Sequence, residues 1–129
     1  MKLIEKEAIK ARRIFEHHAL EISDTLFRDF PRGCCGNVSL FFANRLTCLG
    51  VEGVKVIQGE KGDSSHSWVV VNDLIIDITA DQFENQNHGI FPIDSPYHAS
   101  YSDQSESSLD IGPFLAQSYE VFTAFINDR

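Results

Sequence analysis

The feature that most constrains this chain is Pro31-Arg32-Gly33-Cys34-Cys35-Gly36-Asn37-Val38-Ser39, which runs directly into the apolar stretch Leu40 to Leu49. It reads as a tight glycine turn that sets a cysteine on the first turn of a helix over roughly 35–49, closed by Gly50 as a left-handed cap. Val38, Leu40, Phe41, Phe42, Ala43, Leu46 and Leu49 cover most of the circumference of that helix, so it belongs inside a core. Asn44 and Arg45 are its polar exceptions, facing a cleft or solvent, and Cys48 reads as a buried structural thiol. Unpaired N–H donors and partial positive charge at a helix start favour the thiolate form of a cysteine placed there.

The rest of the chain supplies elements to surround this helix. Ile4, Ala8, Ala11, Phe15, His18, Ala19, Ile22 and Leu26 recur at spacings of three and four, predicting an amphipathic helix over about 3–28. Ser23-Asp24 offers a point where it could break and recap, and Phe30-Pro31 should end it. His17 and His18 read as a surface and a boundary histidine. Val54 to Ile57 reads as a strand, Gln58 to Ser65 as a polar loop, and Ile90 to Ile93 as an edge strand limited by Pro92. Ala80 to Gly89 is polar with at most one helical turn. Ser95 to Ser108 reads as a long loop, with His98 a loop residue held in reserve near any site. Gly112-Pro113 opens a last helix with Phe114, Leu115, Ser118, Phe122, Phe125 and Ile126 on its buried face.

Two β-rich runs, His66 to Val71 and Leu74 to Thr79, meet at Asn72-Asp73, a hairpin signal. A turn centred there sets Val71 opposite Leu74, Trp68 opposite Asp77 and His66 opposite Thr79. Alternation then puts His66, Trp68 and Val70 on one face with Ile75, Asp77 and Thr79. His66 and Asp77 become diagonal neighbours about 7–8 Å apart at the backbone, within side-chain reach. A carboxylate between isoleucines needs a partner, and the diagonal histidine provides one. Asp63 and Asp73 lie in turn or loop sequence, where carboxylates are ordinary.

Composition narrows the function. At 129 residues, 43% apolar and with ten phenylalanines, the chain forms a single domain, 1–129, with a real core. A net charge of −8 and no basic cluster beyond Lys10-Ala11-Arg12-Arg13 argue against nucleic acid. No apolar run approaches the ~20 residues that cross a bilayer, so no membrane partner is expected. The acidic N-terminal sequence does not suit a secretory signal, and three cysteines make no disulfide framework. The expectation is a reduced, cytoplasmic protein, or a domain delivered into a target cytoplasm. Adjacent cysteines point apart and no Cys-x-x-Cys occurs, so Cys34, Cys35, Cys48 and His66 suit zinc poorly and no metal or cofactor is expected.

The helix-borne Cys, then His66-Ser67-Trp68 in one strand and Asp77-Ile78-Thr79-Ala80 in the next, resemble the papain-like/transglutaminase-like cysteine enzyme superfamily over about residues 31 to 83. His-x-Trp and Asp-x-Thr are common wording in its transglutaminase-like branch. The resemblance implies an α+β fold: an N-terminal helix and a buried Cys-bearing helix packed on a small antiparallel sheet, then a C-terminal helix. It also implies a catalytic triad of Cys35, His66 and Asp77. Ser39, four residues on, and the glycine-turn spacing match the papain-type arrangement and favour Cys35, with Cys34 the alternative nucleophile. The implied activity is a hydrolase or acyl-transferase acting on a peptide, protein or small amide through an acyl-enzyme. Asn37, Gln58, Gln82 and Trp68 are candidates for oxyanion or substrate contact. The competing expectation is a binding or regulatory module that keeps the fold without turnover. Nothing in the sequence sets the oligomeric state or the substrate.

Overall fold

Strand alternation decides which residues of this chain become core and which are left for chemistry. The computed structural model describes residues 2–30, 32–80 and 89–128. Along them run α1 (Lys2–Ile22), α2 (Cys35–Cys48), β1 (Lys55–Lys61), β2 (Ser64–Val71), β3 (Leu74–Asp77), β4 (Gly89–Pro92), α3 (Pro96–Ala99), β5 (Ser102–Ser107) and α4 (Gly112–Asn127). The class is α+β, with one five-stranded antiparallel sheet in the order β4-β3-β2-β1-β5.

The β2–β3 hairpin takes the expected register: Val71 pairs with Leu74, Val70 with Ile75 and Val69 with Ile76. Asn72 (φ 52°) and Asp73 (φ 62°) both occupy the left-handed region, as a two-residue type I′ turn requires. Val56, Val69, Val71 and Ile76 therefore share one face, where they meet Phe15 of α1, Phe41 and Phe42 of α2 and Phe122 of α4. Phe15 lies at the centre, with the rings of Phe27 and Phe122 each 5.0 Å away. Trp68 and Ile75 point to the opposite face and form a second, smaller cluster with Tyr101.

Two buried arginines tie the layers together. Arg45, expected in a cleft or in solvent, is buried and donates from Nε to Glu7 Oε1 at 3.0 Å, and also to Asn127, linking α2 to α1 and α4. Arg12 donates from Nη1 to the carbonyl of Ile78 at 2.7 Å and sits 4.7 Å from the centre of the Phe30 ring. It thereby joins α1 to the residue that follows Asp77 and to the approach to the glycine turn.

Several expectations are corrected. Cys48 is exposed, because the last turn of α2 runs out of the core and only its first three turns carry the buried face. Phe114 is 83% exposed, since the first turn of α4 projects past the residues that cover Phe122 and Ile126. No second helix follows Ser23; its Oγ accepts the Leu26 N–H at 3.1 Å, and the chain continues through turns to Phe30. The polar loop 58–65 is the tip of a β1–β2 hairpin that reverses at Gly62 (φ 62°) and Asp63. Its strands carry polar side chains because that end of the sheet faces water. The long loop 95–108 contains α3 and β5, the latter an exposed edge strand paired to β1. The edge strand at 90–93 is β4, and Pro92 stands at its end. Among the described residues no helix is long and apolar enough to cross a membrane.

Candidate active site

Gly33, at φ 71°, makes the turn that only glycine enters without strain, and Cys34 then caps α2 with its backbone. The N-cap side chain makes no capping hydrogen bond, so the first-turn N–H groups lack that partner. Cys35 is the first helical residue and is half-buried, whereas Cys34 is 3% exposed within the core. The two neighbours diverge chemically. Burial pushes the Cys34 thiol up to about 12, helped by the nearby Cys35 and Asp29 and opposed by Arg12.

Burial also pushes the Cys35 thiol up, but a hydrogen bond to His66, the charge of that ring and a hydrogen bond from the Ser67 backbone N–H outweigh it. The net direction is down, towards thiolate. For His66, burial works against the charged ring, and hydrogen bonds to Asp77 and Cys35 overcome it, raising the imidazole to about 9. At Asp77 burial is again opposed, here by donors from two histidines, and the carboxyl falls below its ordinary range.

The distances show why. His66 Nε2 lies 2.7 Å from Asp77 Oδ2, so the expected diagonal pair is a direct hydrogen bond between fully buried side chains. His66 Nε2 is thereby committed to the carboxylate. The same Oδ2 lies 2.6 Å from His98 Nε2, and His98 Nδ1 lies 2.9 Å from Ser95 Oγ. Asp77 Oδ1 is buried without a hydrogen-bond partner among the described residues, so the carboxylate acts through one oxygen. Trp68, Phe91, Tyr97 and Tyr101 enclose this chain of groups, with ring centres 4.8 to 5.8 Å from those of the histidines. Excluding water in this way strengthens each electrostatic contact.

The helix bearing Cys35 packs through its apolar residues on the other face of the sheet, against Val69, Val71 and Ile76. It does not lie over the face of His66 and Asp77; its first residue, Cys35, interacts with His66. His66, Asp77 and His98 also form a cluster whose ligand-type atoms lie within 4.8 Å of one another. Two ligands on one tetrahedral zinc sit about 3.3 Å apart, given metal–ligand bonds of about 2.0–2.1 Å. Separations of 2.6 and 2.7 Å suit shared protons instead.

The other site candidates are dispersed. Asn37 is half-buried in the first turn of α2, close in sequence to the thiol. Gln58 is exposed on β1, opposite Ser67 in register. Trp68 is 2% exposed and packs edge-on to His98, so it is a wall beneath the site, unable to meet substrate. Gln82 lies outside the described residues. His98 was expected only as a loop residue in reserve, and Ser95 was not singled out, because 95–108 lacks apolar periodicity. A signal was present in Ser95-Pro96, a capping serine followed by proline at the first helical position.

No family model, curated protein or solved structure matches this chain. Its function must be read from its own geometry.

Proposed function

We propose that this chain is a cysteine-dependent hydrolase or acyl-transferase of amide bonds, with a papain-like/transglutaminase-like arrangement of Cys35, His66 and Asp77. The observation that carries this reading is the buried His66–Asp77 hydrogen bond at 2.7 Å, beside a half-buried cysteine on the first turn of α2 whose thiol the His66 ring draws down towards thiolate. A structural cysteine or a satisfied core histidine needs no such connection.

The chemistry follows from these groups. The Cys35 sulfur attacks an amide carbonyl carbon, and the oxyanion forms beside the first-turn N–H donors of α2. His66 delivers a proton to the departing nitrogen as the C–N bond breaks, leaving a thioester on Cys35. Water or an amine then attacks the thioester while His66 takes its proton, and the thiolate leaves. Asp77 holds the ring in the required orientation and stabilises the imidazolium throughout. Substrates are peptides, proteins or small amides, and the surroundings of Cys35 do not favour one of these.

Alkylation by iodoacetamide across pH, with the modified cysteine mapped, tests the reading. Cys35 is expected to react first, with a reactivity pKa well below the ~8.5 of a free thiol, rising towards it in His66→Ala. Peptides, simple amides and glutamine side chains should then be screened against the Cys35→Ala variant as control. Three uniformly slow thiols would overturn the proposal and favour a module that binds without turnover.

A further inference from the structure

The mechanism above uses three side chains, yet the buried polar chain has five. We infer that His98 is a positioning residue: held by Ser95, it is a second imidazole donor that fixes the Asp77 carboxylate on which His66 turns. This rests on the proposed cysteine chemistry and assigns a task to residues which that chemistry does not itself require.

The argument begins with Ser95. Its Oγ accepts the backbone N–H of His98, capping α3, at 3.5 Å. The hydroxyl proton is therefore free to point at His98 Nδ1, 2.9 Å away. A ring that accepts at Nδ1 carries its proton on Nε2, and Nε2 is the atom 2.6 Å from Asp77 Oδ2. One serine thus selects the tautomer that donates to the carboxylate. The ring cannot turn away, since Trp68 of β2 and Phe91 of β4 stand edge-on with centres 4.8 Å from its own, and Tyr97 stands 5.0 Å away on α3. His98 is 2% exposed and Ser95 3%, so neither hydrogen bond competes with bulk water.

The consequence falls on Asp77. A carboxylate held by one donor can rotate about its last bond and present either oxygen. Two imidazoles converging on Oδ2, from β2 and from α3, leave one orientation. His66 inherits that orientation through its Nε2, which sets the ring that interacts with Cys35. Outer-shell partners of this kind typically change activity about 10–100-fold when removed.

The titratable groups around His98 are Asp77 on β3, Tyr97 on its own helix and, through Asp77, His66; the test therefore separates donor from volume. His98→Phe fills the space without a donor, and His98→Gln keeps an N–H at comparable reach. His98→Phe is expected to slow Cys35 alkylation at pH 6 about tenfold and to move its reactivity profile to higher pH. His98→Gln should stay within about threefold of the parent, and Ser95→Ala should fall between the two. Thermal melts accompany each variant, because a purely structural His98 would alter the melt while leaving the reactivity profile in place. That outcome, or a parental profile in His98→Phe, overturns the inference. Should the substitutions prevent folding, ¹⁵N NMR of the imidazoles in the unmodified protein decides. An Nε2–H tautomer at His98 is expected, and an Nδ1–H tautomer would overturn it. An ordinary reactivity profile for Cys35 in the parent protein would instead count against the proposed function, a result distinguishable from either of these.

Discussion

The two faces of the sheet are built from the same strands and do opposite work. Val69 and Ile76 face the helices and are surrounded by phenylalanines, while His66 and Asp77 point the other way into a smaller aromatic box. The first face relies on buried apolar area, at about 25 cal/mol per Å², and tolerates exchange among residues of similar volume. The second contains a buried carboxylate and two buried histidines whose burial is offset only by specific hydrogen bonds. Apolar packing is therefore spread over many residues on one side, and buried polar groups are concentrated in a few on the other. Cys35 joins the two, since its helix packs on the first face while its thiol interacts with His66 of the second.

That separation can be broken from either side. The largest effect is expected from Phe15→Ala on the helical face: a loss of about 3–5 kcal/mol in chemical denaturation, with the pH profile of Cys35 alkylation unchanged. A shifted profile would show that the faces are coupled. Gly59→Ala acts from the other side. Gly59 pairs with His66, and an added Cβ would come within 2.8 Å of Tyr101 Cβ, close to the backbone and unable to swing aside. Its cost is expected to be smaller, about 1–3 kcal/mol, but with slowed Cys35 alkylation because Tyr101 walls the His66 ring.

The most diagnostic effect is in pH. His66 is raised in the folded state to about 9 from 6.5, so its contribution is fully present below pH 6.5 and is lost as pH rises through about 9. Asp77 is lowered from 3.8, so its contribution is present above pH 3.8 and is lost as pH falls through its folded value. Melting temperatures of the parent protein and His66→Ala should accordingly differ most between about pH 4 and 6.5 and converge towards pH 9. A constant gap across that range would show that His66 contributes by packing alone.

How much of this was legible beforehand differs between neighbouring residues. The β2–β3 register was readable because a two-residue turn and a period of two leave no freedom: once Asn72-Asp73 is the turn, His66 and Asp77 share a face. The helix of Cys35 was readable from its glycine turn and apolar surface. By contrast, β5 was invisible, because an exposed edge strand of Ser, Asp, Gln and Glu carries no alternation to detect. Cys48 and Phe114 misled, since a helix can continue past the neighbours that bury it, and residue type does not reveal where the neighbours stop.

The sequence by itself determined local order: which segments coil, which alternate, and where glycine and proline force turns. It could therefore bring together His66 and Asp77, which lie in adjacent strands of one hairpin. Only the tertiary structure showed that Cys34 is buried while Cys35 is half-exposed, and only it brought His98 from a distant turn onto the oxygen already held by His66. Such meetings depend on how separate elements pack, and packing is settled by the sum of many weak contacts that no single stretch of sequence contains.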